Sequence, residues 1–124
     1  MRTLTFFLVG LAALALWADD ASPAPAPYHE LLLRAVKEHR LVTFVYDGEE
    51  LETEPHAYGL SRAEKPLLRA YVPRPSKAGD GEAAWLLFRV DRMSHLKVSD
   101  QTFEAPRTGY RRGDKTMAVI YAEF

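Results

Sequence analysis

The chain contains no cysteine, which removes disulfides, thiolate metal sites and cysteine nucleophiles together and leaves nothing to carry a lipoprotein lipid. Packing alone must hold its fold. Charge of one sign is also scarce. Sixteen Lys and Arg stand against seventeen Asp and Glu, a formal net charge of -1, so there is no global basic field to hold a phosphate backbone, and nucleic-acid binding would need a local patch. There is no Gly-rich phosphate loop and no internal repeat. Enzyme constellations fail letter by letter. His29-Glu30 is followed by Leu31, Leu32 and Leu33, without the second His of a zinc-protease helix. Gly59-Leu60-Ser61-Arg62 runs into Ala63 where a nucleophile elbow needs Gly. His29, His39, His56 and His95 lie far apart without ligand spacing. The sequence therefore predicts no catalytic residue, metal or cofactor, and His56 beside Glu54 is the one acid–histidine pair of note.

What is present bounds the chain to one domain: 124 residues, 48% hydrophobic and 27% charged, a globular composition. The most legible feature is the start. Arg2 supplies a positive end, Leu4 to Ala18 runs almost wholly apolar, and Asp19-Asp20 ends the run. That is the grammar of a signal peptide, shorter than the roughly 20 residues of a permanent spanning helix. Small Ala18, with Leu16 two places earlier, predicts cleavage after Ala18 and a periplasmic or secreted protein. Removing residues 1–18 takes away Arg2 and no acid, leaving fifteen basic against seventeen acidic residues. Residues 19–27 then form a Pro/Ala linker, stiff and extended.

The folded unit is predicted over 28–124, with a C-terminal extension over 104–124. Leu31, Leu32, Ala35, Val36 and His39 recur at helical spacing with charges opposite, an amphipathic helix of about three turns. Leu41 to Tyr46 is rich in β-branched and aromatic residues, and Asp47-Gly48 is a strong turn signal. Leu51 to Leu60 reads as a second strand bent at Pro55. Ser61 to Lys65 is a hairpin tip, Leu67 to Val72 a third strand, and Pro73 to Ala83 a long loop. Trp85 to Val90 and Met93 to Val98 supply two more strands, parted at Asp91-Arg92. Beyond the turn-rich stretch from Ala105 to Asp114, Val119, Ile120 and Tyr121 favour an extra strand. The fold class is mainly β with one N-terminal helix (α+β): a small Sm/SH3-like β-barrel of about five or six short strands.

Three stretches in order resemble the WYL domain, a helix plus Sm-like or SH3-like barrel found in bacterial transcriptional regulators. They are Leu32 to Tyr46 with its Tyr46-Asp47-Gly48 ending; Glu54-Pro55-His56-Ala57-Tyr58-Gly59-Leu60 with Leu67-Leu68-Arg69-Ala70-Tyr71; and Leu87-Phe88-Arg89-Val90-Asp91-Arg92-Met93, which is similar to the family's Phe-Arg-Leu-Asp-Arg-Ile segment. The resemblance spans Leu31 to Phe103. Of the name-giving Trp-Tyr-Leu triplet, expected at Pro66-Leu67-Leu68, only Leu68 matches, and Glu52 and Thr53 stand where an arginine is common. The resemblance implies a ligand-sensing module that binds small ligands, nucleotides or single strands through a basic groove. Export and these departures argue against nucleic acid.

Arg89 and Arg92 are the leading ligand-binding candidates, because a guanidinium fork grips carboxylate or phosphate bidentately. The competing reading pairs them with Asp91 or Glu54 on a solvated face. Arg69 and Arg74 are further candidates. Tyr58, Tyr71, Trp85 and Tyr110 are placed to stack a ring, with Tyr58 and Tyr110 the freer and Trp85 and Phe88 expected to pack inside or under the long loop. Arg107, Arg111, Arg112 and Lys115 form the single basic cluster, and Arg112-Gly113-Asp114 reads as a turn rather than an adhesion motif. The expected function is a non-enzymatic, exported module binding an unknown small anionic ligand through Arg89, Arg92, Arg69, Tyr71 and Tyr58. The alternatives are an envelope protein-interaction module using an edge strand or the C-terminal tail to engage a protein partner, and a cytoplasmic nucleotide or single-strand binder should the start codon be mis-assigned.

Overall fold

The computed structural model describes residues 27–74 and 84–124. The expected signal peptide, nearly all of the expected linker and most of the expected long loop lie outside the described residues. Among the described residues, no helix is long and apolar enough to cross a membrane.

Helix α1 spans His29–Lys37 and buries Leu32, Ala35 and Val36, three of the five residues on the expected apolar face. Leu31 stays exposed. His39 lies past the helix end in the left-handed region, φ 56°, a conformation that helix exits favour in Gly. Its ring is stacked on Phe124, centroids 3.8 Å apart, and its carbonyl accepts from the Phe103 amide at 2.9 Å.

Among the described residues, six antiparallel strands follow: β1 Arg40–Tyr46, β2 Glu49–Leu60, β3 Pro66–Val72, β4 Ala84–Arg89, β5 Ser94–Thr102 and β6 Val119–Glu123. The chain is thus mainly β with one N-terminal helix, as its pattern predicts. Asp47 and Gly48 both have positive φ, 50° and 78°, the geometry of a two-residue hairpin turn joining Tyr46 to Glu49. Strand β2 is long and serves two neighbourhoods: Glu49 to Thr53 pair with β1, while Glu54 to Leu60 pair with β3 and the last four residues also pair with β6. The sheet order is β4-β3-β2-β1-β5 with β6 on β2. A 3₁₀ turn, Val90–Arg92, leads from β4 to β5, and these two strands do not pair. The expected barrel is therefore a strongly bent sheet left open on this side.

The partner change in β2 coincides with a bulge. Pro55 pairs with Ala70 and Ala57 with Arg69, leaving His56 as the extra residue. Proline lacks a ladder donor, and a bulge turns one side chain off the regular alternation. A second bulge, in β6, leaves Tyr121 as the extra residue between Ile120 and Ala122.

The inner face of the sheet meets α1 in one core, in which Leu32, Val36, Phe44, Tyr58, Leu68, Phe88 and Val90 are fully or almost fully buried. The outer face of β2 and β3 carries a smaller cluster of Ala57, Leu67 and Met117, with Ile120 against it. Met117 comes from the chain after β5, so the C-terminal tail packs on the outer face. Gly59 permits this approach: a Cβ there would run into the Val119 carbonyl and press on the Met117 sulfur.

Candidate functional site

Register places Leu67 opposite Arg89, Arg69 opposite Leu87, and Tyr71 opposite Trp85. Side chains alternate across a strand, so all six share the outer face of β3 and β4, while Leu68, Ala70 and Phe88 point to the core. The tail between β5 and β6 crosses this face and is fastened to it at three places.

At the first, Arg107 grips Glu54 with both ends of its guanidinium, 2.7 and 2.8 Å, and lies over the Tyr71 ring, 4.8 Å from its centroid. At the second, the Trp85 indole N–H donates to the Thr108 carbonyl at 3.1 Å. Gly109, φ +93°, lies against the indole, where a Cβ would be only 3.3 Å from Nε1. At the third, Asp114 accepts from Arg69 at 2.8 and 3.4 Å and from the Thr116 amide and hydroxyl at 3.0 and 2.6 Å. Burial alone would raise the Asp114 carboxyl, but Arg69 and Thr116 outweigh it and hold it down at about 2.

His56 anchors the tail from below. It is fully buried, and its ring is ringed by Trp85, Tyr110, Phe103 and Phe124 at 4.6 to 5.5 Å. The Arg107 amide donates to its Nε2 at 3.1 Å, so Nε2 is the bare nitrogen. Nδ1 must then carry the proton it gives to the Glu54 carbonyl at 2.8 Å. The imidazole is held neutral as one tautomer, and burial pushes its pKa below the ordinary histidine value.

Between tail and sheet lies a cleft of about 410 Å³, within the range of small-molecule sites. Trp85 and Tyr110 form its aromatic wall, their rings 5.9 Å apart and 25° from parallel. Arg69 and Asp114 close one part; Arg111, Arg112 and Lys115 supply the remaining charge. Arg112 is committed to Glu123 at 2.9 Å. Arg111 and Lys115 have no ion pair or side-chain hydrogen bond among the described residues.

The five residues expected to bind ligand do not converge. Arg69 lines the cleft, and Tyr71 backs it through an edge contact with Trp85 at 5.5 Å. Arg89 shares their face but lies at the far end of β4, clasped bidentately to Asp91 at 3.1 and 2.7 Å. Arg92 pairs with Asp47 and covers the Tyr46 ring. For these two arginines, pairing with a local acid on an exposed face is the arrangement found. Tyr58 needs correction. Expected to stand free, it is fully buried and bonded to His29 Nδ1 at 2.8 Å; burial, with Tyr121 and Glu30 nearby, pushes its hydroxyl up to about 12. The reason is register: Tyr58 pairs with Leu68 and points inward with it.

The basic cluster was legible as a run, and Trp85 and Tyr110 as aromatics. What joins them is the path of the tail, which no local pattern announces. Arg112-Gly113-Asp114 is no presented loop, since Arg112 and Gly113 bind Glu123 and Asp114 binds Arg69.

Fold and site together define a small antiparallel α+β domain with a ligand-sized cleft roofed by its own C-terminal tail. No protein-family model, curated protein or solved structure matches the chain.

Proposed function

We propose that this protein is an exported, non-enzymatic binding module of WYL-like character that holds a small organic anion in the cleft between its tail and β4. One observation carries the reading: an aromatic wall of Trp85 and Tyr110 shares a cavity of about 410 Å³ with Arg111 and Lys115, two cations that no acid among the described residues neutralises. A planar apolar group on the rings and a carboxylate or phosphate on the cations would satisfy both. Arg89 and Arg92, already saturated by Asp91 and Asp47, are assigned to the scaffold.

The test is titration with benzoate and phenyl phosphate, with benzylamine as the cationic counterpart, followed by calorimetry and Trp85 fluorescence. Both anions are expected to bind and benzylamine is not. The double variant Arg111→Glu/Lys115→Glu should lose roughly tenfold or more in affinity while keeping its unfolding midpoint, since an exposed charge contributes little to the fold. Equal binding by the double variant would refute the assignment.

A second reading, docking of a protein partner on β6, is favoured by a separate observation. Among the described residues, strand β6 pairs only with β2, and Val119 and Tyr121 on it are 47% and 38% exposed. Met117, in alternation with them, is instead buried, so the tail as a whole is not a loose strand awaiting a partner. Deleting residues 116–124 and recovering a folded protein with all its partners would dispose of this reading.

A further inference from the structure

His56 does not line the cleft but lies behind its aromatic wall. Trp85 and Tyr110, the aromatic wall, both rest on the His56 ring. The Tyr110 hydroxyl donates to the His56 carbonyl at 3.3 Å, and the Phe124 amide donates to the same oxygen at 2.8 Å. Arg107, at the root of the crossing tail, gives its amide proton to Nε2. These contacts exist because the β2 bulge turns His56 out of the regular alternation.

We propose that the cleft is acid-responsive, with His56 as the switch: a proton on Nε2 releases the tail and lowers the affinity for an anionic ligand. This inference rests on the cleft being the ligand site. The chemistry follows from the bonding. A neutral imidazole with Nδ1–H has one acceptor, and the Arg107 amide occupies it; a protonated ring is a donor at both nitrogens and must break that bond. The new N–H would point at another N–H, that of the Arg107 amide.

The charged and titratable neighbours do not rescue it. On β2, Glu54 favours a positive ring through its carbonyl and its carboxylate, but the carboxylate is shared with the Arg107 guanidinium, which opposes it, and burial keeps the net direction downward. Tyr110 faces His56 from the tail. From the exit of α1, His39 faces it across Phe124 and also works against a proton on His56. Phe124 brings only its ring and backbone, its carbonyl accepting from Arg112 at 3.3 Å. Trp85 on β4 does not titrate. Desolvation is the leading influence and agrees in direction, holding the ring neutral until the pH falls below the ordinary histidine value of 6.5. Asp114, held at about 2, keeps its charge throughout that window, so the Arg69 joint persists and the tail is freed at its Arg107 end.

The experiment follows the ring nitrogens of His56 and the Arg107 amide by NMR from about pH 8 to about pH 4.5, alongside benzoate affinity. The expected result is an Nδ1–H tautomer at neutral pH, a titration below 6.5, and an Arg107 amide that moves in step. Benzoate affinity should fall about tenfold per pH unit below that point, the slope of one linked proton. His56→Gln, which keeps an acceptor for the Arg107 amide and cannot be charged, should flatten both responses. The ligand-free NMR titration of the unaltered protein decides the case by itself if that variant does not fold. An unmoved Arg107 amide while His56 titrates, or benzoate binding that strengthens in acid, would overturn the switch. Benzoate failing to bind at any pH would overturn the cleft reading instead, and leave the NMR result to judge the device.

Discussion

Arg69 and Asp114 show how one pair fixes the course of a whole tail. The Asp114 side chain is only 9% exposed, and Arg69 is 26% exposed; the carboxylate has four hydrogen bonds. Removing its charge with Asp114→Asn leaves a half-buried guanidinium without a counter-ion, and should lower stability by about 1–3 kcal/mol in urea unfolding. The pH sign is fixed by the direction of the shift. The folded carboxyl titrates at about 2 against an ordinary 3.8, so its contribution, about 2 kcal/mol, is complete above 3.8 and vanishes as pH falls toward about 2. The variant should lack that part of the acid loss. For His56 the folded value is also lowered. Its contribution is therefore present above 6.5 and declines as pH drops below it, which makes the mildly acid limb the histidine's and the strongly acid limb the aspartate's.

At the level of elements, β6 is the joint most sensitive to a single methyl group. Gly59→Ala puts a Cβ onto the Val119 carbonyl; the strand must shift, and a loss of about 1–3 kcal/mol is expected, read as a lower thermal midpoint with the β6 amides exchanging faster. Leu32→Ala, from a fully buried site on α1, should cost about 2–5 kcal/mol and leave the β6 amides no more labile than the rest. Strand boundaries were legible because turn chemistry is local: Asp47-Gly48 ends β1, Ser61 to Lys65 ends β2, and Pro55 marks the bend. The direction of Tyr58 was not, because a bulge at His56 resets the alternation and only the β3 register reveals it. The cleft was not legible either. Its lining comes from β3, β4 and a tail some 40 residues downstream of Arg69, and of the arginines that stood out in sequence, Arg89 has its acid two residues away while Arg92 finds Asp47 in the distant β1–β2 turn.

Taken whole, the expected export signal is separate in sequence from the folded unit, while the proposed ligand face is shared between strands β3 and β4 and the tail. The apolar start predicts a mature species beginning at Asp19, to be read as an intact mass from the fractionated native host. A chain recovered whole from the cytoplasm would instead return nucleotides and single strands to the leading candidates. The order of assembly is dictated by β6. Ala57 pairs with Glu123, more than half the chain away, and closing so long a loop is slow compared with the neighbouring hairpins. The pairings from β1 to β4 are sequential and can form while synthesis continues, whereas β5 returns to β1, Arg40 opposite Thr102, and β6 closes the last of these long loops, leaving Leu67 and Trp85 bare on the outer face until it does. The roof arrives last. The cleft is thus the final feature to form, and a chain truncated before β6 would have a sheet and a sticky, aromatic outer surface where the finished protein has a cleft.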